Sequence, residues 1–355
     1  MPPRPRLNRA PSRRGRRVVI ADATQPTAIH HGETAWASAA DASRAGNGAE
    51  AIARLAEAEA AFLVAGRSDM AARALAQRGV LLAACEQYSD AVTCLEKARA
   101  ELGDWPAAQI EDRARYLMAY GESLAAIGDH AEAVRHLADA MQIQAELGAD
   151  LLAAGAALEI AASMTLLGHH ADAAAFAEAA QLGFTAAAEP TLIAYSLRMA
   201  ARAHTAAGAR PAAAAAYEAA RVHHIDQGNL DHALDAVVAQ AHVLRELGHE
   251  RDDCEPVRLA VTRLTAMAGQ LEGLAAARCQ FALGSSLTDL AAMDACFDSL
   301  DAAIPNLLSA LEIFIAHKHA IEAAEAAEHL AVALRMAGRG DEALMHLGRA
   351  LALAS

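Results

Sequence analysis

Small and apolar residues recur along the chain with a period of about 40 residues. The string Gly-x-x-x-(Asp/Glu)-Ala runs from Gly46 to Ala51, from Gly128 to Ala133, from Gly168 to Ala173 and from Gly338 to Ala343. Aligned on the last position of this string, the chain has a series of anchors: Ala51, Ala91, Ala133, Ala173, Ala213, Asp253, Ala303 and Ala343. A fixed period of this size is typical of a stacked array of units rather than of one closed core.

Two more columns of small residues keep the same register. One lies twelve residues before the anchors: Ala39, Gly79, Gly121, Ala161, Ala201, Ala241 and Ala331, with Gly284 in the seventh unit. The other lies seven residues after them: Ala58, Ala98, Ala140, Ala180, Ala220, Ala260, Ala310 and Ala350. Larger side chains precede the second column by three positions: Leu55, Leu95, Leu137, Tyr217, Val257, Leu307 and Leu347. Since small residues let two helices approach closely, each unit predicts a helix A, a short glycine turn and a helix B.

Acidic residues mark the predicted start of helix B. They stand directly before the anchors: Glu50, Asp90, Glu132, Asp172, Asp252 and Glu342. A negative charge in the first turn is favoured by the helix dipole and by the unpaired N–H groups there. Pro211 falls in the same turn of its unit, where a missing N–H costs least.

The small-residue columns and the helix–turn–helix unit resemble the tetratricopeptide repeat (TPR) family, in an extended variant with a period of about 40 residues. The resemblance implies an all-α fold, a right-handed α-solenoid of about eight helix–turn–helix repeats. We expect a disordered Arg/Pro-rich tail over residues 1–30 and a TPR-like superhelical domain over residues 31–355. An irregular unit is predicted at about residues 274–315, because the step between the anchors Asp253 and Ala303 is longer than the others. The extra residues predict two longer helices or a small extra helix between them, with Pro305 near the start of the second.

Charge is distributed unevenly between the tail and the rest of the chain. Residues 1–17 contain seven arginines and no acid, whereas the chain as a whole has 44 acidic residues against 30 basic ones. Three interpretations of the tail stay open: contact with nucleic acid or another acidic surface, contact with the acidic body of the chain, or a leader without function. The five cysteines include no C-x-x-C pair, and no charge-free apolar run approaches membrane-spanning length. We therefore expect a cytoplasmic protein without a membrane segment.

The usual motifs of catalysis and cofactor binding are missing from the sequence. There is no phosphate-binding G-x-x-x-x-G-K-(S/T), no dinucleotide-binding glycine motif after a strand and no H-E-x-x-H. Adjacent histidines, such as His223 and His224, point in directions about 100° apart on a helix, so a pair makes a poor metal site. We predict no enzyme activity, no cofactor and no metal. An enzyme or small-molecule binder stays open as a minor alternative, as does the sensor part of a signalling ATPase lineage.

In the family that the chain resembles, helix A lines the concave groove that recognises a partner. Carried onto this sequence, the resemblance places several basic residues there: Arg73, Arg115, Arg198, Arg202, His242, Arg245, Arg278 and Arg335. Arginine forks suit carboxylates, so we predict a protein-interaction scaffold or adaptor that binds a partner peptide or helix of acidic character. The alternative is a TPR-containing regulator that contacts nucleic acid through its basic tail, although no DNA-reading motif accompanies that tail. We also predict a homodimer formed through a terminal repeat.

Overall fold

The computed structural model describes residues 24–102, 109–294 and 298–354, and these residues form helices and no strand. The chain divides into two compact units, Met1–Trp105 and Pro106–Ser355. The predicted tail falls almost wholly outside the described residues, but residues 24–30, which we assigned to it, belong to the first helix.

The described helices follow one another with short connections. Those of the first unit are α1 (Thr24–Arg44), α2 (Gly48–Val64), α3 (Ser68–Ala84) and α4 (Tyr88–Leu102). Those of the second unit are α5 (Ile110–Ala126), α6 (His130–Glu146), α7 (Asp150–Leu166), α8 (His170–Ala186), α9 (Pro190–Ala206), α10 (Arg210–Asp226), α11 (Leu230–Arg251), α12 (Glu255–Ala268), α13 (Gly273–Asp294), α14 (Asp298–Ala316), α15 (Ala320–Met336) and α16 (Gly340–Ala354). The odd-numbered helices are the predicted A helices and the even-numbered ones the B helices.

Most turns between helices share one capping geometry. After α5, Gly128 has a φ of +93° and donates its N–H to the Ala125 carbonyl at 3.1 Å, while Asp129 donates to the Leu124 carbonyl at 2.9 Å. This pair of bonds is a Schellman cap, which needs a left-handed residue after the helix and is usually given glycine there. The connections from a B helix to the next A helix use the same cap at Gly66, Gly148 and Gly228.

Small residues and leucines meet between the two helices of a unit, as the aligned columns predict. Gly121 of α5 faces Leu137 of α6, and a Cβ on Gly121 would lie only 2.5 Å from the Leu137 Cγ. Gly79 faces Leu95 and Gly284 faces Leu307 in the same way. The alanines of both columns are buried from Ala39 to Ala331. Repeated antiparallel helix pairs packed through small residues are an all-α helical-repeat architecture, so the expected fold class is confirmed.

Four local expectations differ from the structure. Helix α11 continues through Gly248, which stands five residues before the anchor Asp253, where the period predicts a glycine turn. An added Cβ on Gly248 would lie 2.6 Å from the Val257 Cγ2 and 2.9 Å from the Asp253 carbonyl oxygen. Asp252 caps α11 in a left-handed conformation and does not start α12. Pro305 lies inside α14, since that helix begins earlier, at Asp298. Leu347 is 41% exposed on α16, whereas its counterparts are buried.

The long step in the seventh unit lengthens its two helices. α13 has 22 residues and α14 has 19, compared with 17 in most others. By length and apolar composition α14 could cross a membrane, but its apolar side chains pack within the stack. Leu307, Leu311 and Phe314 are buried in a cluster with Leu330 of α15.

The odd-numbered helices of the unit Pro106–Ser355 lie on the inner side of its stack. Each even-numbered helix contacts the odd-numbered helices before and after it, and several odd-numbered helices also contact one another: α5 with α7, α7 with α9, α11 with α13 and α13 with α15. Helices that approach their second neighbours lie on the shorter side of a curved stack.

Candidate functional site

The basic residues predicted to line the groove all belong to odd-numbered helices. Arg73 is half-buried on α3, in the unit Met1–Trp105. The others belong to the unit Pro106–Ser355: Arg115 on α5, Arg198 and Arg202 on α9, His242 and Arg245 on α11, Arg278 on α13 and Arg335 on α15. Their availability to a ligand depends on which of them already form ion pairs with acidic residues of the chain.

Two of the arginines form ion pairs that connect α11 with α13. Arg245 of α11 pairs with Asp289 of α13 through its Nε. Arg278 of α13 pairs with Asp235 of α11, with 2.7 Å between Nη2 and Oδ1. Because each guanidinium has an acid from the neighbouring helix, this pair of residues holds the two helices together and presents little unbalanced positive charge.

Pairing within a helix engages two more of the predicted residues. Arg115 lies 3.5 Å from Asp112, and the His242 Nε2 lies 3.4 Å from Glu246. Both pairs are largely exposed, where such interactions contribute about 0.3–0.5 kcal/mol. The pair of Arg115 with Asp112 reduces the local positive charge without fixing either side chain firmly.

On α9, Arg198 and Arg202 differ from these paired residues. Both are exposed and one helical turn apart, and neither forms an ion pair within the described part of the chain. The Arg198 guanidinium lies over the Tyr195 ring, with its Cζ 5.3 Å from the ring centroid. Arg335 on α15 is likewise exposed and outside any ion pair among the residues described. The uncompensated positive charge of the inner side is thus concentrated on α9.

A cavity of about 240 Å³ lies beside these arginines, between α9, the end of α10 and the start of α11. Its walls include Tyr195 and Arg198 from α9, His223 and His224 from α10, and Asn229 and His232 from the next turn. We call it the histidine pocket. Its remaining lining residues are neutral: Pro190, Thr191, Ala194 and Gln227.

Hydrogen bonds fix the orientation of two rings in the histidine pocket. The His223 Nε2 donates to the Pro190 carbonyl at 2.9 Å, since a carbonyl oxygen can only accept. Asn229 caps α11 by accepting from the backbone N–H of His232 at 3.4 Å, and its Oδ1 also accepts from the His232 Nδ1 at 2.9 Å. The second nitrogen of each ring is therefore the one that changes its proton when the ring becomes charged.

His224 stands in the centre of the three histidines. Its ring centroid is 5.2 Å from that of His232 and 6.1 Å from that of His223. Burial, followed by the charges of His232, His223 and Arg198, lowers the pKa of His224, and only Asp235 opposes the shift. His224 is consequently neutral at physiological pH as long as the histidine pocket holds no anion.

A second cavity, of about 480 Å³, lies on the other side of His232. It combines the acidic residues Asp231, Asp235 and Glu322 with Arg278 and with the apolar side chains of Leu274 and Phe314. Its charges are mixed, in contrast to the wholly neutral or basic lining of the histidine pocket.

Farther along the inner side, two glutamates lie near each other on neighbouring A helices. Burial and the negative charge of Glu159 raise the pKa of Glu122 to about 7. Burial likewise raises the pKa of Glu159. Both residues lie on helices that the period predicts as A helices, but the sequence holds no sign of their burial. The inner side is therefore not a continuous row of cations: it carries protonatable acid on α5 and α7 and free positive charge on α9.

The histidine pocket was not predicted from the sequence. The pair of His223 and His224 was noted only as a poor metal site, and His232 was not singled out. The distance of eight residues between His224 and His232 spans a helix end and a turn, so their proximity depends on the turn geometry. Within the described residues, no three His, Cys, Asp or Glu side chains come together as a metal site.

Comparison with known proteins finds similarity only at the level of structure. No family model matches the chain, and no curated protein matches it. The apo form of RapI superposes with a TM-score of 0.49 at 10% identity, covering 90% of this chain and 99% of RapI. A signal transduction ATPase with numerous domains and a tetratricopeptide repeat sensor, PH0952 from Pyrococcus horikoshii, has a TM-score of 0.49 at 13% identity, covering 74% of this chain and 40% of that protein. The apo quorum sensor NprR from B. thuringiensis has a TM-score of 0.37 at 15% identity, with coverages of 81% and 88%.

Proposed function

We propose that the chain is a protein-interaction scaffold or adaptor that holds an acidic partner segment on the inner side of the unit Pro106–Ser355. The observation that carries the proposal is the state of Arg198 and Arg202. Both are exposed on the same helix, unpaired within the described chain, and Arg198 opens onto a cavity. A cationic surface without an internal counterion is best neutralised by an acidic ligand.

The chemistry of these groups favours a carboxylate-bearing partner. A guanidinium offers two parallel N–H donors that match the two oxygens of a carboxylate, and charge-assisted hydrogen bonds of this kind are about twice as strong as neutral ones. The helices that present Arg198 and Arg202 are formed before the partner arrives. Little ordering entropy is therefore lost on the scaffold side when a segment binds.

A charge reversal on α9 tests the proposal. Intact protein and the double variant Arg198→Glu, Arg202→Glu are used for affinity capture from native lysate, and the captured proteins are identified by mass spectrometry. We expect a partner that the intact protein retains and the variant loses, since the reversed charges repel its carboxylates. Both side chains are exposed, so the helical content measured by circular dichroism should not change.

The matched control reverses two exposed arginines on even-numbered helices, Arg99→Glu and Arg135→Glu. This variant carries the same change in net charge but leaves α9 intact. It should retain the partner that the α9 variant loses. Equal capture by the intact protein and the α9 variant would contradict a role for the inner side.

Three further features belong to the proposal. The chain binds its partners in the cytoplasm and does not catalyse a reaction. The cysteines that the structure describes, Cys85, Cys94, Cys254 and Cys279, are free thiols, which fits a reducing compartment. We also propose self-association through α16, whose outer face exposes Leu344, Met345 and Leu351.

A further inference from the structure

The histidine pocket concentrates groups that can carry positive charge and that come from three successive helices. Arg198 comes from α9, His223 and His224 from α10, and His232 from α11. Among the described residues that line the pocket, none is Asp or Glu. Asp235 influences His224 from α11, but it is already paired with Arg278 and lines the neighbouring cavity together with Asp231. The pocket thus has cationic groups from every helix around it and no carboxylate of its own.

The three rings line the cavity, and each has two donors once it gains a proton. His223 and His232 each use one nitrogen for a hydrogen bond within the protein, to the Pro190 carbonyl and to the Asn229 amide oxygen respectively. The other nitrogen of each ring is an acceptor while the ring is neutral and a donor once it is charged. An oxyanion in the cavity would accept from these donors and from the Arg198 fork.

The protonation of His224 must then be linked to the occupancy of the pocket. With the pocket empty, its burial and the surrounding cations lower the pKa of His224, so a proton there is unfavourable. An anion placed among the three rings contributes an opposite charge and reverses that effect. By thermodynamic linkage, a ligand that raises the pKa of a group binds more tightly when the group is protonated.

We propose that the histidine pocket is a proton-linked carboxylate site, which binds a carboxylate of the partner segment and takes up protons from solvent as it does so. The inference rests on the proposed function, because it names the part of the scaffold that binds a carboxylate of the partner. The size of the cavity, about 240 Å³, suits one acidic side chain or a chain terminus and not a whole helix. Capture of the partner is then strongest in mildly acidic conditions and weakens as the pH rises.

Peptides of defined charge test the site directly. The probe is a peptide of six glutamates with both ends capped, titrated into the full chain by isothermal calorimetry between about pH 6 and about pH 8, where the glutamates stay ionised. We expect the affinity to fall about tenfold or more over this range, since one linked proton changes it by up to about tenfold per pH unit. Titrations in two buffers of different ionisation enthalpy should show net uptake of protons on binding.

Two further peptides separate the sources of the carboxylate. A capped peptide of six glutamines should not bind, and the same peptide with a free C-terminus should bind only if the pocket accepts a terminal carboxylate. Either the glutamate peptide or the glutamine peptide with a free C-terminus must bind with an affinity that falls as the pH rises. Affinity that is independent of pH for both, or binding of the neutral peptide, overturns the proposal.

Variants at exposed positions keep the test independent of folding. His232→Gln and Arg198→Gln should each weaken binding at about pH 6, because each removes a side chain that lines the pocket and can donate to the carboxylate. His249→Gln is the matched control, because His249 is an exposed histidine on the same helix, beside Asp289. Equal behaviour of His232→Gln and His249→Gln would overturn the assignment of the pocket.

The two proposals fail in different ways. If the glutamate peptide does not bind at any pH while the α9 charge reversal still releases the lysate partner, the scaffold function stands and the proton-linked site is wrong. If the peptide binds with the expected pH dependence while the charge reversal keeps the partner, the pocket stands and the proposed function is wrong.

Discussion

At the scale of the residue, Gly121 sets the distance between α5 and α6. An added Cβ would meet the Leu137 Cγ at 2.5 Å and the Ala133 carbonyl oxygen at 3.2 Å, so one of the helices would have to shift. We expect Gly121→Ala to lower the free energy of unfolding by about 1–3 kcal/mol, the usual cost of overpacking, although alanine is the better helix former. Urea unfolding followed by circular dichroism measures the change.

The control for this substitution is Gly155→Ala. Gly155 also lies inside a helix, α7, but a Cβ there would meet nothing within 4 Å. Alanine should therefore raise the free energy of unfolding by about 0.5–1 kcal/mol through helix propensity alone. Shifts of the same sign in the two variants would show that close packing at Gly121 is not what requires a glycine.

Glu122 makes a second prediction at this scale. Its folded-state pKa of about 7 lies above the ordinary value of 4.5, because the charged form is partly buried near Glu159. Its contribution to stability is therefore complete below about pH 4.5 and is lost as the pH rises through about 7. Glu122→Gln should remove this loss, which amounts to no more than about 3 kcal/mol at about 1.4 kcal/mol per pKa unit, with allowance for solvent screening.

Thermal or urea unfolding at about pH 5 and about pH 8 checks this expectation. The quantity to compare is the difference in stability between the two pH values in the intact protein and in the variant. Glu312→Gln, at an exposed position on α14, is the control and should leave that difference as it is. An unchanged difference in Glu122→Gln would mean that Glu122 is ionised in the folded protein across the whole range.

At the scale of the element, the sequence predicted the helix pairs well because close packing restricts residue type. A leucine opposite Gly79, Gly121 or Gly284 leaves no alternative to glycine, and such columns remain visible without a structure. A finer regularity was not used: from α6 to α11 a helix begins every 20 residues, at His130, Asp150, His170, Pro190, Arg210 and Leu230. The cap glycines of this stretch keep the same step and could have shown it: Gly128, Gly148, Gly168, Gly208 and Gly228. Ala188 takes the left-handed conformation at the one remaining position.

The candidate site was less predictable than the helices. Placement on helix A follows from the period, and Arg198 and Arg202 do lie on an odd-numbered helix. Pairing does not follow from the period: Arg245 and Arg278 meet acids 44 and 43 residues away, on another helix. The histidine pocket likewise depends on how a turn brings His232 beside His224, which no pattern along the chain records.

At the scale of the whole molecule, the exposed face of α16 predicts self-association. Leu344 is 69% exposed and Leu351 74%, and an apolar face of this kind is best covered by another protein surface. We expect a dimer in the micromolar range by sedimentation equilibrium, and a monomer for Leu344→Glu with Leu351→Glu. Leu182→Glu, at a 70% exposed position on α8, should leave the dimer intact. A monomeric mass for the intact protein throughout that range would contradict the prediction.

The contacts between neighbouring helices also bear on how the chain reaches its fold. Within each unit the helices pack mainly on those directly before and after them, so the residues that meet are close in sequence. Forming such contacts closes only short loops, and in small proteins a predominance of local contacts accompanies rapid folding. An array of this kind can begin to order at any pair of helices and extend from there, without waiting for distant parts of the chain to meet.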